Sequence, residues 1–228
     1  MDAPITIEDL LGPVNEVEKK NAPRQVFIAG DREILRAGPR VSIVGSRKAS
    51  GRALAIAARL AEFLAARGTV VVSGLAEGVD TAAHEAAIAA GGHTVAVLGT
   101  ALDACFPARN RALQQLIMRE HLALSQFPSG AASKPAHFPM RNRTMALLSN
   151  ATVIVEAGEK SGSLHAGWET LRLGRRLYFV EELSRGRSLS WPSEMGRYGA
   201  ELLALQDLER IFGTDLGMSP RKIVEVPS

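Results

Sequence analysis

The stretch KPAHFPMRNR, residues 134–143, gathers groups suited to holding an anion rather than breaking a bond. Pro139 suits the first turn of a helix, which puts Arg141 and Arg143 near that helix's N-terminus. Positive charge there opposes the helix dipole, by roughly 0.3–1 kcal/mol per exposed residue. The arrangement makes sense if a phosphate sits at the same helix end, or if both arginines pair with acids such as Glu156 across a sheet. Lys134 and His137 add charge. Phe138 offers either a face on which a base stacks or a plain core ring. Another arginine, Arg47, stands in GSRKASG directly after an apolar run. It is either an anion ligand acting beside backbone amides or a solvated surface residue. Ser161-Gly162-Ser163 opens a further helical stretch, with Ser163 as its N-cap or as a phosphate donor.

Residues for covalent or metal chemistry are sparse. The single cysteine, Cys105, excludes an internal disulfide and a multi-cysteine metal site. No nucleophile elbow or Ser-His-Asp pattern is present. Asp80 and His84 lie four apart and share a helix face. The simpler reading is that Asp80 enters or caps that helix and His84 packs beside the strands. The histidines lack a second metal ligand at a standard spacing. GSRKASG is neither the dinucleotide fingerprint nor a Walker A loop. No cofactor, metal or catalytic residue is therefore expected. Arg172, Arg175, Arg176, Arg185 and Arg187 form a loose basic cluster, a charged face or a nucleic-acid track.

The elements that must position these residues alternate regularly. Strands are expected at Val41–Gly45, Thr69–Ser73, His93–Leu98, His121–Ser125, Ala151–Glu156 and Arg176–Val180. Helices are expected at 51–67, 79–90, 110–120, 139–149 and 163–173. Val26–Ile28 adds an edge strand. Continuous apolar runs alternating with helices imply an α/β fold, a mostly parallel sheet with helices on both faces. Ligands of such sheets bind beyond the strands' carboxyl ends. There the sequence places Gly45-Ser46-Arg47, Ser73-Gly74, Gly99-Thr100, Ser125 and Glu156-Ala157-Gly158, small residues that let a ligand approach or simply make tight turns. The tail from Met218 onward is expected to fray.

The 228 residues carry a net charge of +3, a mild excess that permits an anionic partner without demanding one. No apolar run approaches the ~20 residues of a membrane span. The opening MDAPITIEDLLGP lacks the pattern of a signal peptide. A cytoplasmic location and no membrane partner are the expectation.

Three motifs together resemble the DNA-processing protein A family, also called the Smf family. VSIVGSRKAS is similar to its opening strand and Gly-Ser-Arg turn. Residues 73–110 (SGLAEGVDTAAHEAAIAAGGHTVAVLGTALDACFPARN) resemble its longest signature, and residues 138–164 (FPMRNRTMALLSNATVIVEAGEKSGSL) its second. The resemblance covers Pro23 to Val180. It implies an extended Rossmann-like fold, binding of single-stranded DNA in a positively charged pocket, delivery of that strand to a RecA-type recombinase, and a homodimer. By motif match the pocket residues are Arg47, Lys134, Phe138, Arg141 and Arg143. Departures include Gln126 for an acid, Phe106 for a tyrosine, and WPSEMGRYGAELL in place of a downstream Gly-x-Asn segment. Residues 1–22 and 183–228 are taken as extensions flanking a 23–182 core.

The candidate phosphate- or nucleic-acid-binding set is Gly45, Ser46, Arg47, Ser73, Gly74, Lys134, Phe138, Arg141, Asn142, Arg143, Ser161, Gly162 and Ser163. The leading reading is a binding protein, not an enzyme. It protects single-stranded DNA and helps load a recombinase in transformation or recombination. The alternatives are a nucleotide sensor or nucleotide-hydrolysing enzyme of the related Rossmann-like group, in a defence context, and an interaction module that has lost nucleic-acid binding. EAGEKSGSL, where nucleotide hydrolases of that group carry PGGxGT, argues against hydrolysis.

Overall fold

Apolar residues that do not alternate make strands covered on both faces. In the computed structural model, which describes residues 4–184 and 189–213, the runs at 41–44, 70–73, 94–98, 122–125 and 151–154 are all buried. The elements in chain order are α1 (Ile7–Leu11), α2 (Glu16–Asn21), β1 (Phe27–Gly30), β2 (Arg40–Val44), α3 (Gly51–Ala65), β3 (Val70–Ser73), α4 (Val79–Ala89), β4 (Thr94–Leu98), α5 (Arg111–Glu120) and β5 (Leu122–Ser125). They continue with α6 (His137–Leu148), β6 (Ala151–Ile154), α7 (Ser163–Arg172), β7 (Arg176–Val180), α8 (Glu181–Ser184), α9 (Trp191–Arg197), β8 (Glu201–Leu203) and α10 (Leu208–Phe212).

The strands form one sheet in the order β1-β5-β4-β3-β2-β6-β7-β8. Only β1 runs antiparallel, with Phe27 opposite Ser125. The other pairs are parallel. The result is the mostly parallel α/β sheet that the alternating pattern predicts, and it agrees with the extended Rossmann-like fold that the resemblance implies. Helices α3, α4, α5 and α10 cover one face. In α3 the buried Ala53, Ile56, Ala57, Leu60, Ala61 and Leu64 recur at helical spacing and meet Val41, Ile43 and Val71. Helices α1, α6, α7 and α9 cover the other face, where Met145, Leu148, Leu164, Leu171 and Trp191 pack on Val44, Val72, Ile154 and Leu177.

Both flanks of the core contribute to it. Thr6 with Asp9 and Asn15 with Glu18 form capping boxes that start α1 and α2. Ile7 and Leu10 enter the core, and Ile5 bridges Val26. WPSEMGRYGAELL builds α9 and β8, and β8 extends the sheet with Leu202 beside Phe179. Arg185, Arg187 and the tail from Met218 lie outside the described residues. Among the described residues no helix is long and apolar enough to cross a membrane.

Candidate functional site

Strands β2 and β6 lie side by side inside the sheet, Val44 opposite Ile154. The chain leaves β2 toward β3 on one side and enters β6 on the other, so their carboxyl ends form the topological switch point where such sheets bind ligands. A cleft of about 680 Å³ opens there. The turn after β2 supplies Gly45, Ser46, Arg47 and Lys48. Helix α6 supplies Phe138, Pro139, Arg141, Asn142 and Met145. The loop after β6 and the start of α7 supply Gly158, Lys160, Ser161, Gly162, Ser163 and His165. Ala76 and Asp80 close the side.

Four cations face this cleft against one carboxylate. Arg47, Lys48 and Lys160 are exposed and make no ion pair among the described residues, whereas Arg141 is buried. The carboxylate is Asp80, also buried. Its Oδ2 accepts the N–H groups of Gly74 at 3.1 Å and Ala76 at 3.3 Å. Burial pushes the Asp80 carboxyl above its ordinary range, opposed by the charge of Arg141 and those hydrogen bonds. Burial, with Arg47 adding to it and Asp80 opposing, lowers the proton affinity of Arg141. Asp80 is therefore the internal counter-charge of Arg141, and the cleft keeps three solvent-facing positive charges for a ligand. Helices α6 and α7 also open without a capping side chain or an acid in the first turn. Two positive dipole ends remain uncompensated beside the cleft. The first amides of α6 bond back to the preceding turn, His137 N–H to the Lys134 carbonyl and Phe138 N–H to that of Pro135. This helix thus brings its dipole and side chains rather than free N–H groups.

Close approach of backbone to side chain fixes the geometry. The Nη1 of Arg141 donates to the Val97 carbonyl at 2.9 Å, and its guanidinium passes over Gly74. A Cβ at Gly74 would lie 1.5 Å from Arg141 Nη1. Beyond it, Leu75 holds a left-handed backbone, φ 57°, rare without glycine. The loop is kept in place by Asp80 and by Asn110 Nδ2, which donates to the Leu75 carbonyl at 2.9 Å. Gly78, at φ 78°, lets the Arg47 turn lie directly on this loop, its hypothetical Cβ being 2.3 Å from the Ser46 carbonyl oxygen.

Phe138 stands at the mouth. The Arg47 guanidinium carbon is 5.3 Å from its ring centroid, and the Phe106 ring 5.6 Å away. Phe106 is more than half exposed. Behind them lies a smaller pocket of about 190 Å³, lined by Arg47, Gly74, Ala76, Glu77, Phe106, Pro107, Phe138 and Arg141.

Most of the predicted residues converge here: Gly45, Ser46, Arg47, Gly74, Phe138, Arg141, Asn142, Ser161, Gly162 and Ser163 line one or other pocket. Asn142 also ties α6 to the opposite loop, its Nδ2 donating to the Gly162 carbonyl at 3.1 Å. Three do not converge. Arg143 turns to α7, where Glu169 accepts its Nε at 2.9 Å. Ser73 spends its hydroxyl on the Ile43 carbonyl at 2.6 Å. Lys134 is exposed on the loop before α6 and lines neither pocket. Helix α6 begins at His137, so Arg141 and Arg143 sit in its second turn, where the dipole penalty has faded. Gly162, not Ser163, is the cap of α7, and the Ser161 and Ser163 hydroxyls bond each other at 2.7 Å. Glu156 receives the N–H and hydroxyl of Ser50, the cap of α3, at 2.9 and 3.2 Å.

The family model for DNA recombination-mediator protein A matches residues 4–211. This chain belongs to that family. It is 39% identical over 160 residues to the DNA processing protein DprA of Streptococcus pneumoniae, covering 70% of this chain and 56% of that one. It is 34% identical over 190 residues to DprA of Bacillus subtilis, covering 83% and 63%. The chain thus spans about three-fifths of the length of these relatives. The solved streptococcal protein superposes with TM-score 0.78 at 33% identity, over 91% of this chain and 73% of that one. DNA processing protein A of Helicobacter pylori, described for its single-stranded DNA binding mode, superposes with TM-score 0.77 at 26% identity, over 92% and 94%.

Lys48, Lys160 and His165 belong to the site but escape sequence reasoning, and Asp80 belongs to it in a role the sequence does not indicate. A signal for Lys160 exists in the sequence: it lies between Gly158, at the end of the ATVIVE strand, and Gly162, at the opening of the next helix. Asp80 was read as a helix residue, because its service to the Gly74 and Ala76 amides depends on the fold of the intervening loop.

Proposed function

We propose that this chain binds single-stranded DNA in the cleft at the ends of β2 and β6. The observation that carries the reading is the cleft's charge: four cations against one carboxylate that is itself buried and matched to Arg141. Arg47, Lys48 and Lys160 neutralise phosphates. The turn at Gly45 and Ser46 and the loop at Ser161, Gly162 and Ser163 shape the path of the backbone. Phe138 stacks an exposed base, which favours a single strand over a duplex whose bases are already stacked. Arg141 and Asn142 act from beneath, holding α6 and the α7 loop in register. Membership of a recombination-mediator family, and the binding mode described for the Helicobacter protein, support this ligand. No bond is made or broken.

The same reading includes passing the strand to a RecA-type recombinase, as a homodimer acting in the cytoplasm. The test of the core claim is fluorescence anisotropy with labelled oligo-dT and the matching duplex over a range of salt. Affinity for the single strand should exceed that for the duplex, and log K should fall against log salt by about 0.7 per phosphate neutralised. Arg47→Ala should weaken binding and reduce that slope by about 0.7. Equal, salt-insensitive binding of both forms would overturn the reading. Recombinase delivery is tested by filament assembly on strands coated with single-strand-binding protein, and the dimer by sedimentation equilibrium.

A further inference from the structure

Glu156 puts a buried carboxylate just past the end of β6, at the switch point itself. On charge alone it is misplaced, because an acid buried beside this cleft weakens the attraction for a polyanion. It is not the counter-charge of Arg141, which has Asp80, and it does not line the cleft. Each of its oxygens reaches Ser50: Oε2 accepts the Ser50 N–H at 2.9 Å, and Oε1 accepts the hydroxyl at 3.2 Å. The same hydroxyl oxygen accepts the N–H of Ala53 at 3.2 Å, so Ser50 caps α3. Helix α3 runs for fifteen residues and has no acid in its first turn. Glu156 supplies that negative charge from the neighbouring strand end. The positive end of α3 is thereby compensated, whereas those of α6 and α7 stay open beside the cleft. Between Gly45 and Ser50 the chain makes the turn that carries Arg47 and Lys48. Glu156 touches this turn at both ends. Its carbonyl oxygen lies 3.1 Å from where a Cβ of Gly45 would be, and its carboxylate takes Ser50.

We propose that Glu156 is a positioning residue for strand binding: it straps the far end of the Arg47–Lys48 turn to β6 and so holds both cations on the path of the phosphates. The root of the turn is already fixed by the ladder, where the Val155 N–H meets the Val44 carbonyl at 2.9 Å. Its middle has only the Lys48 N–H on Ser46 Oγ at 3.1 Å and the Val79 N–H on the Ser46 carbonyl at 3.3 Å. The far end therefore depends on the carboxylate. A charged acceptor holds an N–H and an O–H more strongly than a neutral one. A glutamine there has one acceptor oxygen, so one of the two Ser50 donors loses its partner. The inference rests on the reading of the cleft as a single-strand site, and it gives Glu156 an effect opposite in sign to that of its charge.

The test is anisotropy with labelled oligo-dT over a range of salt, on wild type, Glu156→Gln, the double variant Arg47→Ala/Lys48→Ala, and the triple variant that combines them. Removing a negative charge should by itself tighten binding of a polyanion. The strap predicts the reverse: Glu156→Gln should bind about fivefold more weakly, less than the roughly tenfold of one charge-assisted hydrogen bond lost outright. Its salt slope should be shallower by about 0.7, the share of one phosphate contact. In the Arg47→Ala/Lys48→Ala background the same substitution should change affinity by less than about twofold, because sites that act through one another are not additive. Ser50→Ala alters no charge and removes the hydroxyl bond, and should weaken binding about threefold; it carries the test alone if Glu156→Gln does not fold. Unchanged or tighter binding by Glu156→Gln, or an equal loss in both backgrounds, with Arg47→Ala still weakening wild type, would overturn the strap and leave the cleft reading standing. No binding of oligo-dT by wild type would overturn both.

Discussion

Replacing Arg141 with methionine isolates the buried electrostatics beneath the cleft. The side chain is 5% exposed and makes two interactions of consequence, a 2.9 Å hydrogen bond to Val97 and attraction to Asp80, itself 5% exposed. Removing one partner of a buried charge pair costs about 3–5 kcal/mol, because the other charge is left without compensation. Asp80 keeps the amides of Gly74 and Ala76, which brings the expected loss to the lower end, about 3 kcal/mol by urea unfolding at pH 7. The pH dependence has a definite sign. Folding already raises the Asp80 pKa above its ordinary 3.8, so the folded state binds more protons in that window and stability falls as pH rises through it. Without Arg141 the folded pKa moves higher, the window widens, and the deficit of the variant is larger at pH 7 than at pH 4.5. Asp80→Asn in the same background removes the orphaned charge and should recover about 1–2 kcal/mol. A loss below 1 kcal/mol, independent of pH and not recovered by Asp80→Asn, would refute the pairing of these two residues.

Other expectations follow from single contacts. Gly74→Ala places a methyl against the Arg141 guanidinium and should cost about 1–3 kcal/mol in urea unfolding; a neutral result would mean the guanidinium does not pass over Gly74. Arg143→Ala should leave oligo-dT affinity within twofold of wild type, since Glu169 holds that side chain away from the cleft; a loss as large as that of Arg47→Ala would put Arg143 in the binding surface. His84 donates from Nδ1 to the Thr94 hydroxyl, which itself donates to the Val71 carbonyl, and burial, with Arg141 and His121 adding, pushes its pKa down to about 3. Its contribution to stability is complete above the unfolded value of 6.5 and is lost as pH falls toward 3, at up to about 1.4 kcal/mol per pH unit. NMR should find its ring neutral at pH 5, and titration near 6.5 would contradict this.

The sheet was legible because burial on both faces leaves an unmistakable mark: VSIVG, TVVVS and ATVIVE have no polar alternation to confuse with an amphipathic helix. Strand β8 was not, since it is three residues long, begins at Glu201 and leaves Leu202 half exposed. Its pairing is decided by β7, not by its own composition. The sequence sets the start of α6 two residues late, at Pro139 instead of His137. Proline is tolerated wherever the N–H has no helical partner, and that includes the third position it occupies here. Arg141 and Arg143, which the sequence sets close together, diverge in the structure. Residues two apart on a helix point about 200° from one another, so one enters the cleft and the other meets α7. That geometry was available from spacing alone once the segment was taken as helical. The sequence places the Arg47 turn at a strand end and the Ser161 loop at the opening of α7, and both lie there. Their convergence at one switch point required the strand order, which places β6 beside β2 although more than a hundred residues separate them.

Photo-cross-linking most directly tests the claim that the cleft holds a single strand of DNA. An oligonucleotide carrying 5-iododeoxyuridine would be irradiated in complex with the protein and the attachment site mapped by mass spectrometry. The account predicts adducts on Phe138 or its neighbour Phe106, abolished together with binding when Arg47 and Lys160 are both replaced by alanine. Adducts confined to α5 or to the β1 edge, with Phe138 unmodified and the double variant still binding, would contradict it.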